Sequence, residues 1–291
     1  MPARVEFGIS ITPTWADSSE AIDLARLADE AGLDLVGIQD HPYQWRFLDT
    51  WTLIAYLAAK TSSVRFFPDV ANLPLRAPAV LAKAAASLDV LTGGRVELGL
   101  GAGGFWEAIE AMGGPRRAPG EAVQATEEAI DVIRLVWSGQ RGVRYEGRHY
   151  RLSGLNTGPT PAHPIGIWLG AGRRRMLELI GRKADGWVPS SPWAPPDALS
   201  QYLRRIEDSA ATAGRDARSI RRVYNVSGVI GAERGEPFVG PASYWQDELS
   251  RLVLDVGMDA FIFWAGGDDA RSQVETFATD IVPAVRSAVQ A

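Results

Sequence analysis

Residues 165–190 read IGIWLGAGRRRMLELIGRKADGWVPS, a pattern of strand, helix and strand that sets the architecture of the whole chain. A short apolar run, IGIWLGA (165–171), passes through a glycine-rich turn into a helix-forming stretch at 173–182. A second short run, GWVPS (186–190), follows. Short runs rich in branched and aromatic residues and bounded by turn signals read as strands. A helix between two such strands is the connection that a parallel pair needs.

The alternation repeats on both sides. Upstream lie VEFGIS (5–10), DLVGIQD (34–40), VRFFPDV (64–70) and RVELGLGAG (95–103). The spacing predicts helices after them at about 18–31, 49–60, from Pro78 to Gly93-Gly94, and near 120–137. Ser18 or Ser19 is the expected cap of the first helix and Gly32 its stop. Downstream lie a helix at about 197–213, RRVYNVSGVIG (221–231), a helix at about 242–256, AFIFWAG (260–266) and a closing helix. Eight strand–helix units in 291 residues place the chain in the α/β class. They predict one (β/α)8 TIM barrel, a single domain over 1–291 with insertions after the fourth and seventh strands. The first insertion, 143–164, opens with a hairpin at VRYEGRHYRL (143–152), and the second is ERGEPFVG (233–240). A doubly wound open sheet is the alternative. No GxGxxG follows the first strand, and GAGG after the fourth lacks that spacing.

Composition narrows the function classes. Without cysteine there are no disulfides, thiolate metal sites or thiol nucleophiles, and a cytoplasmic location fits. A net charge of −5 gives no general attraction to nucleic acid or to an anionic membrane. No apolar run reaches the ~18 residues of a membrane span, and the N-terminal MPARVEFGIS lacks an apolar signal core. No GxSxG elbow, phosphate-loop GKS/GKT or histidine spacing for a metal occurs, so no metal site is expected.

In a barrel of this kind, chemistry gathers where strands run into the loops that follow. The second strand ends in Asp40-His41-Pro42, with Trp45 beyond. The third ends in Pro68-Asp69-Val70 and then Asn72, the fourth in Gly101-Ala102-Gly103-Gly104 before Phe105 and Trp106. The fifth ends in Gly170-Ala171-Gly172, with Arg173 at the start of a helix. Free N–H groups and the dipole at a helix start favour a phosphate, and glycines let it approach. Arginines on a first turn oppose the dipole, so an anionic ligand would account for them; a solvated helix face is the plainer reading of the run. His41 is either a packing residue or a proton-handling imidazole near pH 7. Pro68, near the end of a strand that should be central, points to a bulge or an unusual peptide bond. Ten tryptophans are available to line a mouth or fill the core.

DHP after the second strand, DVANLPLRAPAVLAKAAASLDVLTGGRVELGLGAG (69–103) and WLGAGRRRMLELIGRKADGW (168–187) resemble the bacterial luciferase-like family. That family comprises FMN monooxygenases and oxidoreductases that use the deazaflavin coenzyme F420. The resemblance implies a (β/α)8 barrel, a homodimer, and a catalytic His41 beside the reactive ring. It implies a non-prolyl cis peptide at Asp69–Val70 and a polar Asn72 facing the ring. Gly170, Ala171, Gly172 and Arg173 match the phosphate-binding segment, and Gly101 and Gly103 stand in the cofactor-binding turn after the fourth strand. Trp45, Phe105 and Trp106 are the expected substrate pocket. The family's sugar-phosphate dehydrogenases carry a catalytic glutamate where this chain has Gly104, so sugar-phosphate oxidation is not expected. The compact chain and the arginine run favour coenzyme F420 over FMN. The expected activity is hydride transfer to or from, or monooxygenation of, a small organic substrate, with a separate flavin or F420 reductase as a possible partner. A non-catalytic flavin- or ligand-binding barrel is the alternative.

Overall fold

The computed structural model describes residues 4–231 and 233–290. Met1 to Ala3, part of the N-terminal stretch read above, lie outside the described residues. The chain runs β1 (Glu6–Ile11), α1 (Ser18–Glu30), β2 (Leu35–Ile38), α2 (Thr50–Ala58), β3 (Arg65–Pro68), β4 (Ala71–Asn72) and α3 (Pro78–Thr92). Then come β5 (Leu98–Gly101), α4 (Trp106–Ala111), α5 (Pro119–Trp137), β6 (Val143–Glu146), β7 (Arg151–Leu155), β8 (Ile167–Leu169), α6 (Arg174–Lys183) and β9 (Gly186–Trp187). The remainder is α7 (Leu199–Thr212), β10 (Arg221–Ile230), β11 (Val239–Gly240), α8 (Ala242–Arg251), β12 (Ala260–Ala265), α9 (Ala270–Thr276) and α10 (Val282–Ala288).

The parallel strands are ordered β3-β2-β1-β12-β10-β9-β8-β5-β4. A parallel bridge between Phe66 and Val96, with Phe66 N donating to Arg95 O and Glu97 N to Phe66 O, brings β3 against the strand leading into β5. The result is the expected α/β barrel. The insertion after β5 carries the antiparallel β6–β7 hairpin, paired from Val143–Leu155 to Glu146–Arg151. In the insertion after β10, β11 adds a short parallel strand to β10.

One local expectation is corrected, and one is met a residue beyond its signal. Asp17, not Ser18 or Ser19, caps α1, its carboxylate accepting from Glu20 N. Pro68 does not interrupt β3. It pairs in register with Ile38, because the missing N–H is compensated one residue on, where Asp69 N donates to Ile38 O at 2.7 Å. The irregularity falls after it, where Asp69–Val70 is a cis peptide bond, as the resemblance implied; Gly158–Pro159 is also cis.

Side chains alternate between the two faces of each strand. Phe7, Ile9 and Ile11 of β1 join the large cluster between strands and helices, while Leu35, Phe67, Trp168, Val188, Val223, Ala260 and Ile262 form a second cluster inside the barrel. One layer below that cluster, at the N-terminal mouth, Arg65 bridges Glu6 (2.6 Å) and Glu97 (2.8 Å), and Arg221 also binds Glu6. One layer above it, the interior becomes polar, and the site begins.

Candidate active site

Nine buried side-chain nitrogen or oxygen atoms lack a hydrogen-bond partner among the described residues. Four of them, on Ser10, Asp69, Asn72 and Trp264, lie at or just past the C-terminal ends of parallel strands, and a fifth is on Asn225, midway along the longer β10, which reaches Asp69 there. A buried polar atom without a partner costs roughly 1–3 kcal/mol, so their gathering at one end of the barrel makes that end the candidate site.

The cis bond after β3 shapes this floor. Val70 is lifted between strand ends that carry no side chain. A Cβ on Gly101 would stand 2.8 Å from Val70 Cγ2, one on Gly170 3.0 Å from it, and one on Gly99 3.0 Å from Val70 Cγ1. Three glycines on β5 and after β8 thus cede the room that one valine fills. Beside it, β4 sets Asn72 against β5, with Asn72 Oδ1 buried and unpartnered.

Asp40 holds this arrangement. Its buried carboxylate accepts from Asn72 N at 2.8 Å and from Arg76 Nε and an Arg76 terminal nitrogen at 2.6 and 2.7 Å. Arg76 also reaches Asp49 at 2.7 Å, the cap of α2. Burial works against the Arg76 charge, but the two carboxylates outweigh it and raise its pKa. So Asp40 does not orient the histidine next to it in sequence. His41 points elsewhere, half-buried, with Nδ1 2.7 Å from Tyr43 Oη and its ring edge-on to Phe105 at 5.8 Å. Burial lowers the His41 pKa, with Asp40 partly opposing, and burial pushes Tyr43 up to about 12. Tyr43 therefore keeps its proton at neutral pH and can donate it to Nδ1, which leaves the His41 proton on Nε2.

On the far side of the mouth, the Gly170–Gly172 loop enters α6 with Arg173 as the flanking residue. The buried Trp187 indole pins that loop by donating to Ala171 O at 2.7 Å. Arg174 is engaged with Glu178 at 2.7 Å, one turn along the helix. Arg173 and Arg175 have no carboxylate partner among the described residues, so the run divides into one paired and two uncommitted cations.

The aromatic residues separate as well. Phe105 stands beside His41 and Tyr43, and Trp45 is exposed and tilted against Trp15 at 6.5 Å. Trp106 instead opens α4 with its ring over Gly103, where a Cβ would come within 2.9 Å of it. Gly104 is exposed with open space around it, and Glu107 binds Arg116 at 3.0 Å, so no acid stands at the end of β5. A separate cavity of about 170 Å3 lies between the ends of β1 and β12 and helices α1 and α9. It touches the floor through Ser10 and Trp264, but His41, Asn72 and Arg173 do not line it. Among the described residues no group of three His, Asp or Glu could hold a metal, and no helix is long and apolar enough to cross a membrane.

Sequence reading named His41, Asp69, Asn72 and the glycine turns but missed Asp40–Arg76, Tyr43, Asn225 and Trp264. Position at a strand end was the available signal for Trp264 and Asp40. Nothing in the sequence marked Arg76 or Asn225.

The profile of the family described as Luciferase-like monooxygenase matches residues 5–236. The chain is 25% identical to an F420-dependent glucose-6-phosphate dehydrogenase of Nocardia farcinica, over 97% of this chain and 98% of that one. It is 29% identical to an F420-dependent hydroxymycolic acid dehydrogenase of Mycobacterium tuberculosis, over 80% of this chain and 65% of the relative. Among solved structures, an F420-dependent secondary alcohol dehydrogenase with an F420-acetone adduct superposes with a TM-score of 0.86 at 18% identity, covering 97% of this chain and 99% of that one. A long-chain alkane monooxygenase superposes at 0.82 with 13% identity, covering 99% and 92%. With its closed parallel barrel and its polar floor at the strand ends, this chain belongs to the luciferase-like monooxygenase family and is an oxidoreductase of that family.

Proposed function

We propose that the protein is a coenzyme F420-dependent oxidoreductase acting on a small organic substrate. The observation that carries this reading is the floor itself. Val70 is seated among Gly99, Gly101 and Gly170, beside an unpartnered Asn72 Oδ1. It is a firm, locally apolar rest with one free acceptor at its edge, which suits a flat heteroaromatic ring carrying N–H groups. The Gly170–Gly172 turn with Arg173 suits that ligand's phosphate. Uncommitted Arg173 and Arg175 suit further anionic groups, such as the carboxylates of the F420 tail, and this favours F420 over FMN. The naming of two relatives as F420-dependent supports the same choice.

When bound, F420 supplies two-electron hydride chemistry, and FMN in its place would supply oxygen chemistry. The chain's own residues position and exclude. Asn72 Oδ1 would accept from an N–H of the bound ring, and Asp40 and Arg76 keep the Asn72 backbone in place. His41 Nε2–H, set by Tyr43, donates to substrate oxygen or returns the proton, and Phe105 covers it from water. The exposed Trp45 and Phe105 favour an apolar or flat substrate. Sugar-phosphate oxidation is not proposed, since Gly104 has no proton to move and Glu107 is tied to Arg116. A homodimer, a separate reductase partner and a cytoplasmic location are part of the proposal on resemblance and composition. No feature of the site favours a non-catalytic barrel.

The test is side-by-side titration of cofactor-free protein with F420 and FMN by tryptophan-fluorescence quenching. Tight binding of F420 alone supports the reading. Tight binding of FMN alone would replace it with a monooxygenase, and binding of neither would remove the phosphate and ring sites together.

A further inference from the structure

The floor beneath the bulge contains a carboxyl group that the chemistry above does not use. β3 and β10 are separated by β2, β1 and β12 on one side and by β5, β8 and β9 on the other. A contact between them therefore spans the barrel. Asp69, at the end of β3, makes that contact: its Oδ1 accepts from Asn225 Nδ2 of β10 at 3.1 Å, and Asn225 is within 3.2 Å of Ser190 Oγ. Its Oδ2 is enclosed and has no partner, lying 3.1 Å from where a Gly37 Cβ would be. Directly beneath are the apolar side chains of Leu35, Phe67, Val223 and Ile262. One neutral amide donor is poor compensation for a buried carboxylate, and a neutral acid costs far less to keep there than the charged form.

We propose that Asp69 is a proton-linked positioning residue of the cofactor floor, and that the barrel takes up its anionic cofactor with Asp69 in the protonated, neutral form. This rests on the reading in the preceding section. Burial pushes the Asp69 pKa up to about 7, with the Asn225 amide and the facing Trp264 indole, which is outside hydrogen-bond geometry, opposing it. From the elements packed against it, Asp69 is faced by Gly37, Ser190, Asn225 and Trp264, none of which titrates near neutrality. Charged groups do stand nearby in the fold. Asp40 is bound to Arg76, His41 leans on Tyr43 and Phe105, and Arg65 binds Glu97 in the layer below, so each is engaged by its own partner rather than by Asp69.

The direction follows from linkage. Above its pKa, Asp69 is a buried negative charge below an anionic ligand, so the ligand binds the protonated form more tightly and binding takes up a proton. Affinity then falls as pH rises through and above neutrality, by at most about ten-fold per pH unit for one linked proton.

The experiment measures the dissociation constants of F420 and of FMN by fluorescence quenching from about pH 6 to about pH 9, for wild type and Asp69→Asn. Asparagine keeps an acceptor for Asn225 and mimics the neutral acid. The expected result is a wild-type affinity that declines towards ten-fold per pH unit, and a variant that shows only the ligand's own titration. Carboxyl 13C resonances of the ligand-free wild type follow Asp69 directly and need no variant, should Asp69→Asn fail to fold. A proton still present on Asp69 at about pH 6 is expected there. Parallel affinity profiles, or an Asp69 already ionised at that pH, would overturn the proposal alone. If wild type bound neither ligand, the cofactor reading itself would fall, and this proposal with it.

Discussion

Arg76→Met tests whether the Asp40–Arg76 pair holds the site together. Asp40 has no exposed side-chain surface, and Arg76 supplies two of its three hydrogen bonds. Methionine keeps the bulk of the arginine stem but leaves a buried carboxylate with one backbone donor. Removing one partner of a buried ion pair costs on the order of 3–5 kcal/mol, well above the 0–1 kcal/mol of an exposed pair. The second contact of Arg76, with the half-exposed Asp49, adds little to that figure. Urea unfolding followed by tryptophan fluorescence reads the loss as a shift in midpoint at constant slope. The double variant Asp40→Asn/Arg76→Met completes the argument. With the charge gone, it should be more stable than Arg76→Met alone by about 1–3 kcal/mol, the penalty of leaving a buried group unsatisfied. A single-variant loss below about 1 kcal/mol, or a double variant less stable than the single, would refute the reasoning. The Asn72 backbone depends on the same carboxylate, so Arg76→Met should also weaken cofactor binding.

Three further outcomes are expected. His41→Ala should lower turnover far more than cofactor affinity, by 10²–10⁴-fold if its imidazole moves a proton, on the order typical of general acid–base groups; equal losses in both would remove it from the chemistry. Arg173→Ala should weaken binding of a phosphate-bearing cofactor by about ten-fold or more, the loss of one charge-assisted contact, while Arg174→Ala, already paired with Glu178, should leave it nearly unchanged. At the opposite mouth, His163 lies 2.8 Å from Asp89 and 3.5 Å from Glu97, and the hydrogen bond to Glu97, then burial in opposition, leaves its pKa raised. A raised pKa contributes stability that is full below about pH 6.5, the unfolded value, and lost as pH rises through the folded one. His163→Gln should therefore cost more stability at about pH 6 than at about pH 9, and the reverse order in urea unfolding would contradict the pairing.

The eight strand–helix units were legible because their signals are local. Period, length and turn residues are written within a dozen neighbouring positions, and a sustained βα alternation of this length closes into a barrel. Barrel geometry then sends functional groups to the strand ends, so His41, Asp69, Asn72 and the Gly170–Gly172 turn were named in advance. Pro68 pointed to a bulge or an unusual peptide bond near the end of β3, but the place of the cis bond at Asp69–Val70 was legible only through resemblance, since no local propensity favours it. Tertiary structure alone decided the contacts that organise these positions. Asp69 meets Asn225 across 156 residues and the width of the barrel, and Asp40 leaves its neighbour His41 to bind Arg76, 36 residues on. Such pairings depend on which strands close on which and on which face each side chain takes, and closure settles both only when the whole ring has formed.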